Sequence, residues 1–166
     1  MEPLLSQICH PQLSIRSEVL YHLTKEPLQF LDLTDEVSAC VARSGVDHGV
    51  VNVHSRHTTA AIVVTESECL LLADLRERLE RFAPTGAGYR HDDFEVRTEN
   101  LTPEERPNGH SHVRALVLPT GVSLNLVEGK LQLGRWQRIF LVELDGSRAR
   151  EISVLMMGVG ACREGA

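Results

Sequence analysis

Gln137-Arg-Ile-Phe-Leu-Val-Glu-Leu144, then Asp145-Gly146-Ser147, then Arg148-Ala-Arg150-Glu-Ile-Ser-Val-Leu-Met156 is the stretch that decides the fold. Two β-rich runs on either side of an Asp-Gly turn signal read as antiparallel strands joined around Asp145-Gly146. Just upstream, Val122, Leu124 and Leu126 alternate with polar residues, Glu128-Gly129 offers a tight turn, and Leu131 and Leu133 alternate again. The last third of the chain is therefore antiparallel sheet.

Working outward, Ala60-Ala-Ile-Val-Val64 and Gly49-Val-Val-Asn-Val53 are short, β-branched runs that suit strands. Leu13, Ile15, Val19 and Tyr21 fall on odd positions after Pro11, the pattern of a half-buried strand, and Gln29 to Leu33 is short and extended. Thr34 followed by Asp35 and Glu36 reads as an N-cap with carboxylates in the first turn of a helix that runs to Ser44 and stops at Gly45. After Ser67, the spacing of Leu71, Leu72, Leu75, Leu79 and Phe82 predicts a second helix, ended by Pro84, whose charged residues form a solvated face. His112 to Leu118 predicts a short helix ended by Pro119, and residues 84–111 are irregular, a length that compact domains keep for function. Strands grouped at both ends with two main helices between them give an α+β fold, a largely antiparallel sheet or sandwich with the helices packed on it. One domain spans 1–166, with 1–12 and 159–166 as loose tails.

Lys plus Arg number 17 against 23 Asp plus Glu, a formal charge of −6, and aromatic residues are only 4%. This balance argues against non-specific binding to nucleic acid or to an anionic membrane, and leaves no aromatic platform for bases. No apolar run is long enough to cross a bilayer, and the start lacks a leader pattern, so a cytoplasmic protein is expected. Cysteines 9, 40, 69 and 162 form no C-x-x-C pair and read as free thiols.

The chemistry-bearing residues are spread out. His57 lies between two strands, His91 precedes two aspartates, and His110 and His112 stand in Asn108-Gly-His-Ser-His. Neutral imidazoles suit zinc and its neighbours, although the spacing matches no short zinc signature, so separate surface histidines are the alternative. Of His110 and His112, which diverge at a helix start, one is expected to serve. Glu66 and Glu68 offer either a ligand or carboxylates opening the following helix. Trp136, the only tryptophan, stands beside Arg135 and Gln137 and suits either packing or stacking on a planar ring, while Arg148 and Arg150 project from one strand face and suit a phosphate. Phosphate-binding glycine loops and a G-x-S-x-G elbow are absent.

In order, His57-Thr-Thr-Ala, Glu66, Tyr89-Arg-His91-Asp92, Asn108-Gly-His-Ser-His112 and Gly134-Arg-Trp136-Gln137 resemble the YjbQ-like family, named as secondary thiamine-phosphate synthases. The likeness runs from about Leu13 to Gly158. It implies an α+β homotrimer with sites in clefts, and it groups His57, His91 and His112 as a metal or polar cluster with Glu66, Trp136, Gln137 and Arg150 around it; His110 becomes the less favoured of its pair. The implied reaction joins a pyrimidine methyl diphosphate to a thiazole phosphate with loss of pyrophosphate. Glu66, Gln137 and Arg150 are then expected in catalysis, and Thr58, Asn108, Trp136 and Arg148 against a small phosphorylated metabolite. The histidines favour a zinc-type divalent metal, whereas a diphosphate substrate would bring magnesium. A zinc-type hydrolase and a non-enzymatic trimeric binding protein are the alternatives.

Overall fold

The computed structural model describes residues 12–160. Cys9, Cys162, Pro11 and most of the two expected tails lie outside these residues, but residues 159 and 160 belong to the last strand. The element order is β1 (Leu13–Leu23), β2 (Phe30–Asp32), α1 (Thr34–Ser44), β3 (Val46–Ser55), β4 (Ala60–Glu66), α2 (Cys69–Phe82), a 3-10 turn (Arg90–Asp92), α3 (Gly109–Leu116), β5 (Gly121–Val127), β6 (Lys130–Leu131), β7 (Gln137–Glu143) and β8 (Ala149–Gly160).

Two antiparallel sheets result, one in the order β1-β8-β3-β5-β6 and a smaller one in the order β2-β7-β4. The expected α+β architecture is present, and the short helix expected over His112 to Leu118 is α3, which begins earlier, at Gly109, and ends at Leu116. Between the sheets, Val51, Val53, Ile62, Ile139, Leu141, Ile152, Val154 and Met156 pack with Leu33, Val37 and Val41 from the α1 region into the main core. The other face of the small sheet, including Phe140 and Val142, is covered by Leu72 and Leu79 of α2 and Ala115 of α3. A sheet buried on both faces explains why Ile139-Phe-Leu-Val142 is continuously apolar.

The Asp145-Gly146 hairpin is not formed. β7 pairs with β2 and β4, whereas β8 pairs with β1 and β3, so Leu144–Arg148 carries the chain from one sheet to the other. The reason is Glu143, fully buried, whose carboxylate accepts the N–H groups of Asp145 (2.9 Å) and Gly146 (3.3 Å) and turns the backbone away from β7. The Glu128-Gly129 turn, by contrast, does join a paired β5 and β6, with both residues at positive φ (53° and 68°) as such a turn requires.

β1 also departs from expectation. Its register sets Ile15 opposite Met157 and Ser17 opposite Leu155, which puts Leu13, Ile15, Val19, Tyr21 and Leu23 on the outer, exposed face. The opposite face carries Leu20 into the core and Glu18 toward α1, where it binds Arg43. Helix α1 ends at Gly45 (φ 70°) as read from sequence, but Leu33 is its cap and Thr34 its first residue. Asp32 Oδ1 accepts the Thr34 N–H, and Thr34 Oγ1 takes the Ile139 N–H, tying the helix to β7. At α2 it is Glu68 that caps, accepting Leu70 N–H and Leu71 N–H at 2.8 Å each. Among the described residues no helix is long and apolar enough to cross a membrane.

Candidate functional site

The corner Arg56–Thr59 between β3 and β4 is fastened to β8. His57 Nε2 accepts the Glu151 N–H at 2.7 Å, so this nitrogen is unprotonated and the neutral ring carries its proton on Nδ1. Arg56 reaches the Glu151 carboxylate at 2.8 Å. Thr59 accepts from the Arg150 guanidinium through both its carbonyl (3.2 Å) and its hydroxyl (3.1 Å). Burial, and after it the Arg150 charge, hold the His57 pKa below its ordinary value.

The irregular segment folds back onto α3. Asp92 Oδ1 accepts the N–H groups of Asn108 and Gly109 at 2.8 Å each, and Gly109 packs so closely on Tyr89 that any Cβ there would overlap the tyrosine Cβ. This docking brings the His91 ring to 4.5 Å from the His112 ring, centroid to centroid. Burial, then His91 and Arg97, keep His112 below the ordinary histidine pKa. Arg97 donates to the His91 carbonyl at 3.3 Å and lies 4.0 Å from Glu105, which also takes the Asn108 side-chain amide at 3.4 Å.

His57, His91 and His112 thereby share the wall of one cavity of about 610 Å³ with Thr58, Asn108 and Arg148, and with Arg56 and Arg97. Two buried polar atoms on this wall have no partner, His91 Nε2 and Asn108 Oδ1. His110 is buried at 3% exposure beside Tyr89 and is not part of the wall, so it is His112 of the pair that serves the cavity.

Other expected residues are elsewhere. Glu66 and Gln137 face each other in the β4–β7 register, at the far end of β4 from His57. Seven strand residues separate the ends by roughly 20 Å. Trp136 is 60% exposed there, with the Arg135 guanidinium 4.6 Å from its ring. These three do not join the cavity of their own chain. Arg150 lines it with a side chain only 2% exposed, its Nε and Nη2 bound to Glu143 and Thr59. Sequence reasoning missed Arg56, Arg97, Glu105 and Glu143. Only Glu143 had a clear signal, a charge ending the apolar run Ile139–Val142.

The UPF0047 protein YjbQ-like family profile matches residues 19–159. The chain belongs to this family. A UPF0047 protein of Methanothermobacter thermautotrophicus is 34% identical over 150 residues, covering 90% of this chain and 97% of the relative. Another from Archaeoglobus fulgidus is 37% identical over 131 residues, covering 79% and 93%. A YjbQ-like crystal structure from Sulfolobus solfataricus, described as of unknown function, superposes with a TM-score of 0.79 at 32% identity, covering 89% of this chain and 99% of that one. Within the family frame the motifs that carry His57, His91 and His112 meet at one cavity, while Glu66 and the Gly134–Gln137 motif lie at the opposite end of the small sheet.

Proposed function

We propose that the histidine cavity binds a small phosphorylated metabolite and carries out group transfer on it. The observation that carries this reading is the meeting of His57, His91 and His112 with Arg56, Arg97 and Arg148 around one space of about 610 Å³, large enough for a metabolite. Guanidiniums suit phosphate oxygens, which would share Arg56 with Glu151, Arg148 with Asp145 and Arg97 with the His91, Glu99 and Asn100 carbonyls. Neutral imidazoles, kept so by burial at His57 and His112, suit proton transfer or metal binding. The unpartnered His91 Nε2 and Asn108 Oδ1 are groups that a ligand would satisfy.

The finer form of the proposal is the reaction implied by the motif resemblance, joining a pyrimidine methyl diphosphate to a thiazole phosphate. Arginines stabilise the leaving pyrophosphate, and His57, through Nδ1–H, donates a hydrogen bond to it. Two imidazoles fit a zinc-type ion in kind: His91 and His112 would hold it, while His57, with Nε2 accepting the Glu151 N–H and its proton on Nδ1, would not ligate, and the ion would supply a Lewis acid at phosphate. Among the described residues no three His, Cys, Asp or Glu side chains converge as a ready metal site. The orphaned His91 Nε2 favours the second reading, a zinc-type hydrolase of an anionic metabolite. A homotrimer is part of the proposal, supported by the apolar outer face of β1, β3 and β8, and free Cys40 and Cys69 suit a cytoplasmic setting.

The test is incubation of purified protein with the two precursors and a panel of magnesium, zinc and manganese. Thiamine phosphate should form and should fall at least tenfold in His112→Ala. Product no higher than in that variant removes the synthase reading; release of phosphate from simple phosphate esters in its place establishes the hydrolase.

A further inference from the structure

Among the described residues Glu143 is the most heavily hydrogen-bonded side chain, and it touches no solvent. Its Oε2 takes Arg150 Nε at 2.6 Å and the Thr24 hydroxyl at 2.8 Å. Its Oε1 takes the second Arg150 nitrogen as well as the Asp145 and Gly146 N–H groups. Thr24 in turn accepts the Arg148 N–H at 3.0 Å and takes the Ser147 hydroxyl on its carbonyl at 2.9 Å. Arg150 Nη2 also donates to Thr59, at both its carbonyl and its hydroxyl.

This pair joins the two walls of the cavity. One wall is the His57–Thr59 corner, held through Arg150; the other is the Leu144–Arg148 crossover, held through Glu143 and Thr24. A buried ion pair is a poor source of net stability, because desolvation cancels most of the attraction, and what this one supplies is a fixed geometry between the elements it joins. A planar guanidinium bound on two edges is a rigid spacer that a flexible ammonium cannot replace.

We propose that Glu143 and Arg150 are positioning residues of the site: they fix the His57 ring and the Arg148 backbone relative to each other, so that ligand affinity depends on the pair separately from folding. This rests on the reading of the cavity as a phosphate site. Loss of the fork frees Thr59, the corner relaxes, and the bond from Glu151 N–H to His57 Nε2 lengthens or breaks.

The experiment uses the full chain and two variants, Arg150→Lys, which keeps the charge but not the fork, and Thr59→Val, which cuts one bond and leaves the pair whole. Each is studied well below its own melting temperature. The readouts are inorganic phosphate affinity by calorimetry and the ring nitrogen shifts of His57 by NMR. The expected results are a phosphate Kd raised roughly tenfold in Arg150→Lys and a few-fold in Thr59→Val, with the His57 nitrogens moving from one fixed tautomer toward an average. Folded variants that keep the parental Kd and nitrogen shifts overturn the proposal. If Arg150→Lys does not fold, Thr59→Val decides. Should the parent bind no phosphate, the cavity reading fails, while the His57 shifts still decide whether the pair positions the ring.

Discussion

His57 Nε2 and the Glu151 backbone N–H lie 2.7 Å apart, a bond between a loop imidazole and β8, the strand between β1 and β3 in the larger sheet. An imidazole that accepts at Nε2 must hold its proton at Nδ1, so the ring is expected as a single tautomer at neutral pH. Nitrogen NMR should show one protonated and one unprotonated ring nitrogen for His57. Replacement by Ala removes an acceptor for a strand N–H, costing about 1 kcal/mol, and should lower phosphate affinity at least tenfold. Unaltered affinity in a folded His57→Ala protein removes His57 from the site.

Acid should destabilise the metal-free protein through two of these histidines. Burial and then Arg150 lower His57 from its ordinary 6.5, and burial, then His91 and Arg97, lower His112 from the same value. The folded chain then holds both rings neutral at a pH where the unfolded chain takes up protons. Their stabilising contribution is complete above pH 6.5 and is lost as pH falls through the lower folded values. Melting temperatures measured from pH 7.5 to 5 in chelator should fall, and the fall should be shallower in a His57→Gln/His112→Gln variant. An identical slope in that variant would show that other groups, the buried His110 and the carboxylates, set the acid response.

The sequence patterns that located these histidines carried local information well and partner information poorly. Helix α1 and its Gly45 stop, the β5–β6 turn and the helical period of α2 are all set within a few residues, and each formed where its pattern put it. Which strand pairs with which is decided by distant contacts. The Asp145-Gly146 signal is the same for a hairpin and for a crossover, and only the buried ion pair of Glu143 with Arg150 distinguishes them. The odd-numbered apolar stripe of β1 fixes one face, not whether that face meets core or another surface. For the site, motif order named three histidines that line one cavity but could not separate a motif at the cavity from one at the other end of the same strand, as with Glu66.

Gly109 should be intolerant of any side chain. Its backbone lies against Tyr89 while its N–H bonds Asp92, so an added Cβ must push the segment carrying His91 away from α3. Gly109→Ala is expected to cost about 1–3 kcal/mol and to weaken zinc uptake and phosphate binding together. Addition of Tyr89→Ala to that variant should recover much of the stability by opening the space. A Gly109→Ala protein as stable as the parent, measured by urea unfolding, would mean that the close packing is not retained in solution.

The bare face of the larger sheet is the region where assembly should act. β1, β8 and β3 set Ile15 beside Met157 and Met157 beside Val50, with Leu13, Tyr21, Leu23 and Leu155 also exposed. Three strands spaced about 4.8 Å apart and rising about 3.3 Å per residue over some eleven residues cover roughly 500 Å², near the top of what monomers leave exposed. Tyr21 and Leu23 also stand next to His57 and Arg150 at a smaller cleft beside the main cavity, so a chain seated on this face would border the site. Ile15→Glu puts a carboxylate on the β1 part of this face and, since the side chain is 54% exposed in the single chain, should leave the fold itself nearly as stable. Light scattering should show the parent as three chains of 18.5 kDa and the variant as one, with unchanged circular dichroism. A parent that runs as a monomer at working concentration, or a variant that stays trimeric, would rule out this face as the trimer interface.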